Sequence, residues 1–242
     1  MKKSSYMTLG LIPARGGSKG IRRKNTRHLS GKPLIAYSIE CGLACPSIDK
    51  VVVSTDDREI AEFSREWGAE VPFMRPSELA QDETPMLQVM QHALETAENI
   101  YHKKVDTLVL LQPTSPLRKA SDIEESLLIY LQDKDCQAVI SGRIAHFNPY
   151  FNMAFLEEGY VRLAIPPSED IGSRQKCPAV YDLDGTVWIY SREALMDIKK
   201  RIPPRTRLFE VPEERVIEID TELDFKIAEF LMSQLNNNST DF

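Results

Sequence analysis

The chain has 242 residues, 42% hydrophobic and 27% charged, with 30 basic against 36 acidic side chains and a formal net charge of −6. That much apolar content excludes a disordered chain, and the acidic balance excludes a general nucleic-acid coat, which needs a basic surface. The length fits one α/β domain with a small appended piece and needs no disulfide or metal staple.

In chain order, Leu9–Pro13 is a short apolar run that feeds a Gly-rich loop, as a buried strand does. Pro33 opens a helix whose apolar stripe is Leu34, Ile35, Ile39 and Leu43. Lys50–Ser54 (KVVVS) is a β-branched strand. Asp56-Asp57 caps a helix over Arg58–Trp67, and Gly68 stops it. Glu70–Phe73 reads as a short strand, Thr84–Tyr101 as a long helix and Thr107–Leu111 (TLVLL) as a strong strand. Ser121 with Glu124 forms a capping box for a helix through Leu131. Ala138–Ser141 is a further strand. This alternation predicts a Rossmann-like α/β fold, a mostly parallel sheet with helices on both faces.

The rhythm changes after His146. Asn152–Phe155 and Tyr160–Leu163 flank Glu157-Glu158-Gly159, a hairpin signal in an aromatic-rich stretch. It is expected as a small inserted lobe over about 144–178, within a single domain spanning 1–242; it either lids the site, packs on a second subunit or covers its own core. The sheet resumes with Thr186–Tyr190 and Val216–Ile219. A last helix over Thr221–Leu235 places Leu223, Ile227, Leu231 and Leu235 on one face, and the tail NNNSTDF is expected to fray.

The start of the chain lacks the long apolar region of a signal peptide, and nothing approaches a membrane span of about 20 apolar residues. The cysteines Cys41, Cys45, Cys136 and Cys177 form no CxxC pair. A cytoplasmic, reduced protein is expected, with no membrane or nucleic-acid partner.

In an open α/β sheet, ligands bind beyond the carboxyl ends of the strands. Four segments carry unusual residues there. The first, LIPARGGSKGIRRKN, holds Gly16, Gly17 and Gly20 in a loop whose N–H groups can approach phosphate oxygens. Between Arg15 and Lys32 stand seven basic residues and no acidic one. Arg15, Lys19 and Lys24 supply the charge a polyphosphate needs; the bland alternative is a solvated basic turn. Neither a Walker A loop nor GxGxxG is present. The second segment, LLQPTSPLR, delivers Gln112 and Thr114 on a proline-stiffened loop that either orients a ligand or merely connects. The third, SRQKCP, offers Arg174 for a carboxylate, or as a plain surface arginine. The fourth, IEIDTELDF, puts Glu218 and Asp220 on one face of a strand, a hard-oxygen pair suited to Mg²⁺. Asp220 or Thr221 also suits a helix cap.

Taken together, IPARGGSKGI–KN, VSTDD, RPSELAQD, LLQPTSPLR, SRQ–P and IEIDTELD resemble the acylneuraminate cytidylyltransferases (CMP-sialic acid synthetases), in order, from Leu9 to about Phe225. The resemblance implies a Rossmann-like fold, a homodimer exchanging the small lobe, Mg²⁺, and transfer of CMP from CTP to a nine-carbon 2-keto sugar acid with release of pyrophosphate. Carried over by position, Arg15, Lys19 and Lys24 are the catalytic cations. Ala14, Gly16, Gly17, Asn25 and Arg75 join them around the nucleotide. Gln112, Thr114 and Arg174 face the sugar, and Glu218 with Asp220 holds the metal. Two places depart from the family. Glu218 stands where an aspartate is usual, and Asp184-Gly185, preceded by Asp182, stands where Asn-Gly is usual. Both lie on the acceptor side, so legionaminic or pseudaminic acid competes with N-acetylneuraminate as the acceptor.

Overall fold

Side chains along a buried strand leave alternately to opposite faces, so a strand apolar throughout needs cover on both. The central strand β1 (Tyr6–Pro13) does this with Leu9 and Leu11 on one side and Ile12 on the other, all completely buried. In the computed structural model, which describes residues 6–167 and 172–238 with side chains as far as 234, the elements that follow build this cover. They are β2 (His28–Leu29), β3 (Lys32–Pro33), α1 (Leu34–Leu43), β4 (Lys50–Ser54), α2 (Arg58–Glu66), α3 (Met86–Tyr101), β5 (Lys104–Leu110) and α4 (Ala120–Gln132). Then come β6 (Ala138–Ile144), the hairpin β7 (Ala154–Glu157) and β8 (Tyr160–Leu163), β9 (Tyr181–Ser191), β10 (Thr206–Glu210) and α5 (Glu222–Asn238).

The main sheet has the order β10-β6-β9-β5-β1-β4, parallel except for β9, which runs antiparallel to both β5 and β6. One face packs Val51, Val53, Val109, Val187 and Ile189 against α1, α2 and α4. The other packs Val52, Leu108, Trp188 and Tyr190 against α3 and a π-helical turn at Ala194–Ile198. The mostly parallel α/β sheet with helices on both faces is therefore what forms. A third cluster, Leu29, Leu34, Leu117, Ile219, Phe225, Ala228 and Met232, seats α5 beyond the sheet edge.

Local rules explain most boundaries. Asp57 caps α2, its Oδ1 accepting from the Glu59 and Ile60 amides at 2.8 and 3.1 Å. Gly68 follows with φ +93°, as the end of that helix requires. Glu158 and Gly159, at φ +50° and +84°, make the two-residue turn between β7 and β8.

Several expectations are corrected. Glu70–Phe73 forms no strand, only a single parallel bridge between Val52 and Glu70. The first-turn contact of α4 is Asp122, whose Oδ2 accepts from the Lys119 amide at 2.8 Å; Ser121 lies inside the helix and Glu124 instead binds Ser47. Val216–Ile219 joins no ladder; its one long-range backbone bond runs from the Ile219 amide to the Thr114 carbonyl at 2.9 Å. The edge strand β10 was not foreseen. Helix α5 buries Phe225, Ala228 and Met232 and leaves Leu223 and Ile227 exposed, because Phe225 fills the gap beside Leu29 and Leu34. The Leu235 side chain and residues 239–242 of the tail lie outside the described residues, while Asn236–Asn238 continue the helix.

The connection between β5 and β9 depends on a buried guanidinium. Arg118, 5% exposed, donates to the carbonyls of Thr186, Gln112 and Gly185 and to the Ser38 hydroxyl. Burial lowers its pKa to about 10, so it stays charged at neutral pH. Arg118→Met removes every one of these donors and strands buried carbonyls. The expected loss is about 3–5 kcal/mol of unfolding free energy, measured by urea titration.

Candidate active site

Strands β1, β4 and β5 end on the same edge of the sheet and launch the loops that form the site. Ala14, 1% exposed, packs into the core and does not line the opening; its amide donates to the Ser54 carbonyl at 3.0 Å. The Gly16 amide donates to Asp56 Oδ1 at 3.1 Å, and a Cβ at Gly16 would stand 2.7 Å from Asp57 Oδ2. Gly20 runs still closer to its neighbour, since a Cβ there would overlap the Asp220 carbonyl oxygen. Arg23 then takes a left-handed turn, φ +56°, and hands the chain to Lys24. Lys24 Nζ reaches the Ile219 carbonyl at 2.8 Å and Asp220 Oδ1 at 2.9 Å, and Asn25 Nδ2 holds the Arg15 carbonyl at 3.1 Å. The Gly-rich loop is thus tied to the segment before α5 across nearly the whole length of the sequence.

A cavity of about 300 Å³ opens over this loop, with Arg15, Lys19, Lys24 and Arg75 on its walls together with Gln112 and Thr114. Arg15 and Lys19 both pair with Asp82, which they hold well below the usual carboxylate range, Lys19 most strongly. Arg75 differs from them. It is 6% exposed, its Nε donates to the Ser54 hydroxyl at 3.0 Å, and it has no ion pair among the described residues. Burial lowers its pKa to about 10, and Arg15 pushes the same way against the opposing pull of Asp56. Concentrated positive charge facing an open cavity is a site for a polyanion.

Opposite the cations, the β5 loop and the start of β9 converge on Gly185. A Cβ there would lie 2.7 Å from Glu218 Oε1, 2.8 Å from Gln112 Nε2 and 2.9 Å from Ser115 Oγ. The Ser115 hydroxyl is buried without a partner among the described residues. Glu218 keeps part of its surface in water, but partial desolvation of its carboxyl, then Asp220, then Asp184, raises its pKa. A carboxylate whose charge is disfavoured by a second one suits a divalent cation, and a carboxylate pair fits Mg²⁺, which usually keeps waters and phosphate oxygens as well. Among the described residues no group of three or more His, Cys, Asp or Glu could hold a metal by itself. The helix cap falls to Thr221 and Asp224, which bond each other's amides at 2.7 and 3.2 Å, so the Asp220 carboxylate is left to the site.

Asp184 does not face the cavity. It is 4% exposed, and its Oδ1 accepts from the Ser141 hydroxyl and the Thr186 amide, each at 2.7 Å. Asp182 lies 3.7 Å from Arg143. The added negative charge in this stretch is therefore turned into the fold or paired.

A second cavity, about 430 Å³, adjoins the first and shares Met86 and Gln112 with it. The structure thus brings Arg15, Lys19, Lys24, Asn25, Arg75, Gln112, Thr114 and Asp220 around one opening. Gly16 and Gly17 belong to the same loop without lining the opening, and Glu218 sits behind Gly185. Arg174 lies exposed on the lobe and lines neither cavity. Sequence reasoning passed over Asp82, Met86 and Arg118. Asp82 and Arg118 close the motifs RPSELAQD and LLQPTSPLR, which was the available signal.

Residues 9–210 match the cytidylyltransferase family. The chain belongs to that family. This cytidylyltransferase is 36% identical over 231 residues to a CMP-N,N'-diacetyllegionaminic acid synthase of Campylobacter jejuni, covering 96% of this chain and 97% of that one. It is 35% identical, with the same coverage, to post-translational flagellin modification protein B of Campylobacter coli. In fold it resembles a CMP:2-keto-3-deoxy-manno-octonic acid synthetase solved with CTP, at a TM-score of 0.68 and 19% identity, covering 95% of this chain and 99% of that one. Curated relatives named as N-acylneuraminate and pseudaminic acid cytidylyltransferases place it with the nonulosonate-activating enzymes.

The Gly20 contact gives a direct test of the cytidylyltransferase loop. Gly20→Ala must push the loop off the Asp220 carbonyl, so CTP affinity should fall at least about tenfold by calorimetric titration, a loss of about 1.4 kcal/mol. The circular dichroism spectrum should be unchanged.

Proposed function

We propose that this protein transfers CMP from CTP to the anomeric hydroxyl of a nonulosonic acid, releasing pyrophosphate. The observation that carries the reading is Arg75: a buried cation without an ion pair that opens, beside Arg15, Lys19 and Lys24, onto a cavity adjoining a second one. The family match supports the same chemistry.

The acceptor oxygen attacks the α-phosphorus of CTP in line. A new P–O bond forms, the bond to the β-phosphate breaks, pyrophosphate takes the electron pair, and the hydroxyl proton is released. Arg15, Lys19 and Arg75 hold the triphosphate, which displaces Asp82 from the first two. Lys24 is positioned by Asp220 and Ile219 to neutralise charge that grows on the leaving group. Gln112, at the junction of the cavities, orients the acceptor. Glu218 and Asp220 would hold Mg²⁺, whose chemistry is to neutralise and align phosphate oxygens.

We read the protein as a homodimer. Strands β7 and β8 expose apolar residues throughout, with Leu156, Tyr160 and Val161 at 73%, 67% and 70%, and a lone two-stranded hairpin is marginal in water. A second copy covering this lobe stabilises it and can bring Arg174 to the acceptor. The four free cysteines and the nucleotide substrate favour the cytoplasm, and a CMP-activated sugar is a donor for building cell-surface glycans.

Pyrophosphate release from CTP with a panel of nonulosonic acids tests the reaction; no release with any of them refutes it. Lys24→Ala should lower kcat about a hundredfold or more with little change in Tm, and near-normal turnover would remove its assigned role. Sedimentation velocity checks the assembly: Leu156→Asp with Val161→Asp should convert a dimer to a monomer.

A further inference from the structure

We propose that the second cavity selects the acceptor by its distal substituents. It favours a nonulosonate ending in acylamido and methyl groups over one ending in a run of hydroxyls. The proposal rests on the cytidylyl-transfer reading above and concerns which acid is used.

The two cavities differ in chemistry. The first presents cations to phosphate, whereas the second is walled by Leu87, Met90, Leu110 and Trp188, with Met86 at the junction. Met90, Leu110 and Trp188 are 2%, 1% and 5% exposed, so this wall is part of the packed core and is held rigid by it.

Apart from Gln112 at the junction with the first cavity, the polar tips on this wall are already occupied. The Trp188 indole N–H donates to the Asp184 carbonyl, and the Tyr190 hydroxyl donates to the Arg201 carbonyl at 2.8 Å. A hydroxyl that enters beyond the reach of Gln112 gives up its water without a replacement, and that loss is costly. A methyl group gains from the same surface.

Arg201 supplies the exception. Its guanidinium lies 5.1 Å from the centre of the Trp188 ring and has no ion pair among the described residues. It donates hydrogen bonds and accepts none, which suits the carbonyl oxygen of an acylamido group. The cavity therefore combines an apolar floor for acyl methyls with Gln112 at its inner end and the Arg201 donor at its exposed edge.

The decisive measurement compares kcat/KM for N,N'-diacetyllegionaminic acid and N-acetylneuraminic acid at saturating CTP. A methyl group in an apolar pocket discriminates by about 10- to 200-fold, so a ratio of at least about tenfold toward the diacetyl acid is expected. Leu87→Gln and Met90→Gln should each bring that ratio toward one. Met90 is a core residue, and if its variant does not fold, the half-buried Leu87 still decides. Equal use or the opposite preference in the unaltered enzyme, or an unchanged ratio in a folded variant, overturns the selection while leaving cytidylyl transfer standing. No pyrophosphate with any acceptor refutes both.

Discussion

The site is held in place by a charge that never meets the substrate. Arg118 sits in the interior and bonds three carbonyls, from Gln112, Gly185 and Thr186, and the Ser38 hydroxyl of α1. Burying a guanidinium is costly, and here the cost is offset by hydrogen bonds to three peptide carbonyls and a hydroxyl. The β5 loop, the first residues of β9 and α1 are thereby locked in one relative position. Gln112 and Gly185, where the two cavities and the carboxylates meet, inherit their geometry from that lock.

The second organising contact spans the ends of the sequence. Lys24 reaches both Ile219 and Asp220, and Gly20 lies so close to the Asp220 carbonyl that no side chain fits between them. The cationic loop and the acidic segment are built as one unit. The basic cluster of an acidic protein is mostly balanced at short range: Arg15 and Lys19 by Asp82, Arg23 by Glu59, Arg27 by Glu222 and Lys32 by Glu40. What distinguishes the cations of the site from the surface ones is access to the cavity, not their number.

Much of this was legible in the sequence. The strands β1, β4 and β5 show as apolar runs, and the hairpin turn shows as Glu158-Gly159. The Gly-rich loop announces itself by composition. Other features leave little trace. In β10 the segment TRLFE buries only Phe209, so its pattern is too thin to read as a strand. Val216–Ile219 has a strand's composition but makes a single long-range backbone bond, to Thr114. Arg118 could not be told from a surface arginine, because its burial is decided by partners up to 80 residues away. The surplus acid at Asp184 looked like a hazard to an anionic acceptor, yet Ser141 and Thr186 turn it inward.

The direction of β9 has a wider meaning. Because it alone runs against its neighbours, the chain leaves β6 and enters β9 on the same edge of the sheet, and the whole lobe is one excursion from that edge. An excursion of this kind can be lengthened, trimmed or reshaped without disturbing a ladder bond or shifting the nucleotide loop on the far side of β5. Variation in this lobe is thereby uncoupled from the cationic loop after β1, so one scaffold can change its outer surface while the cavity walls of the sheet stay fixed.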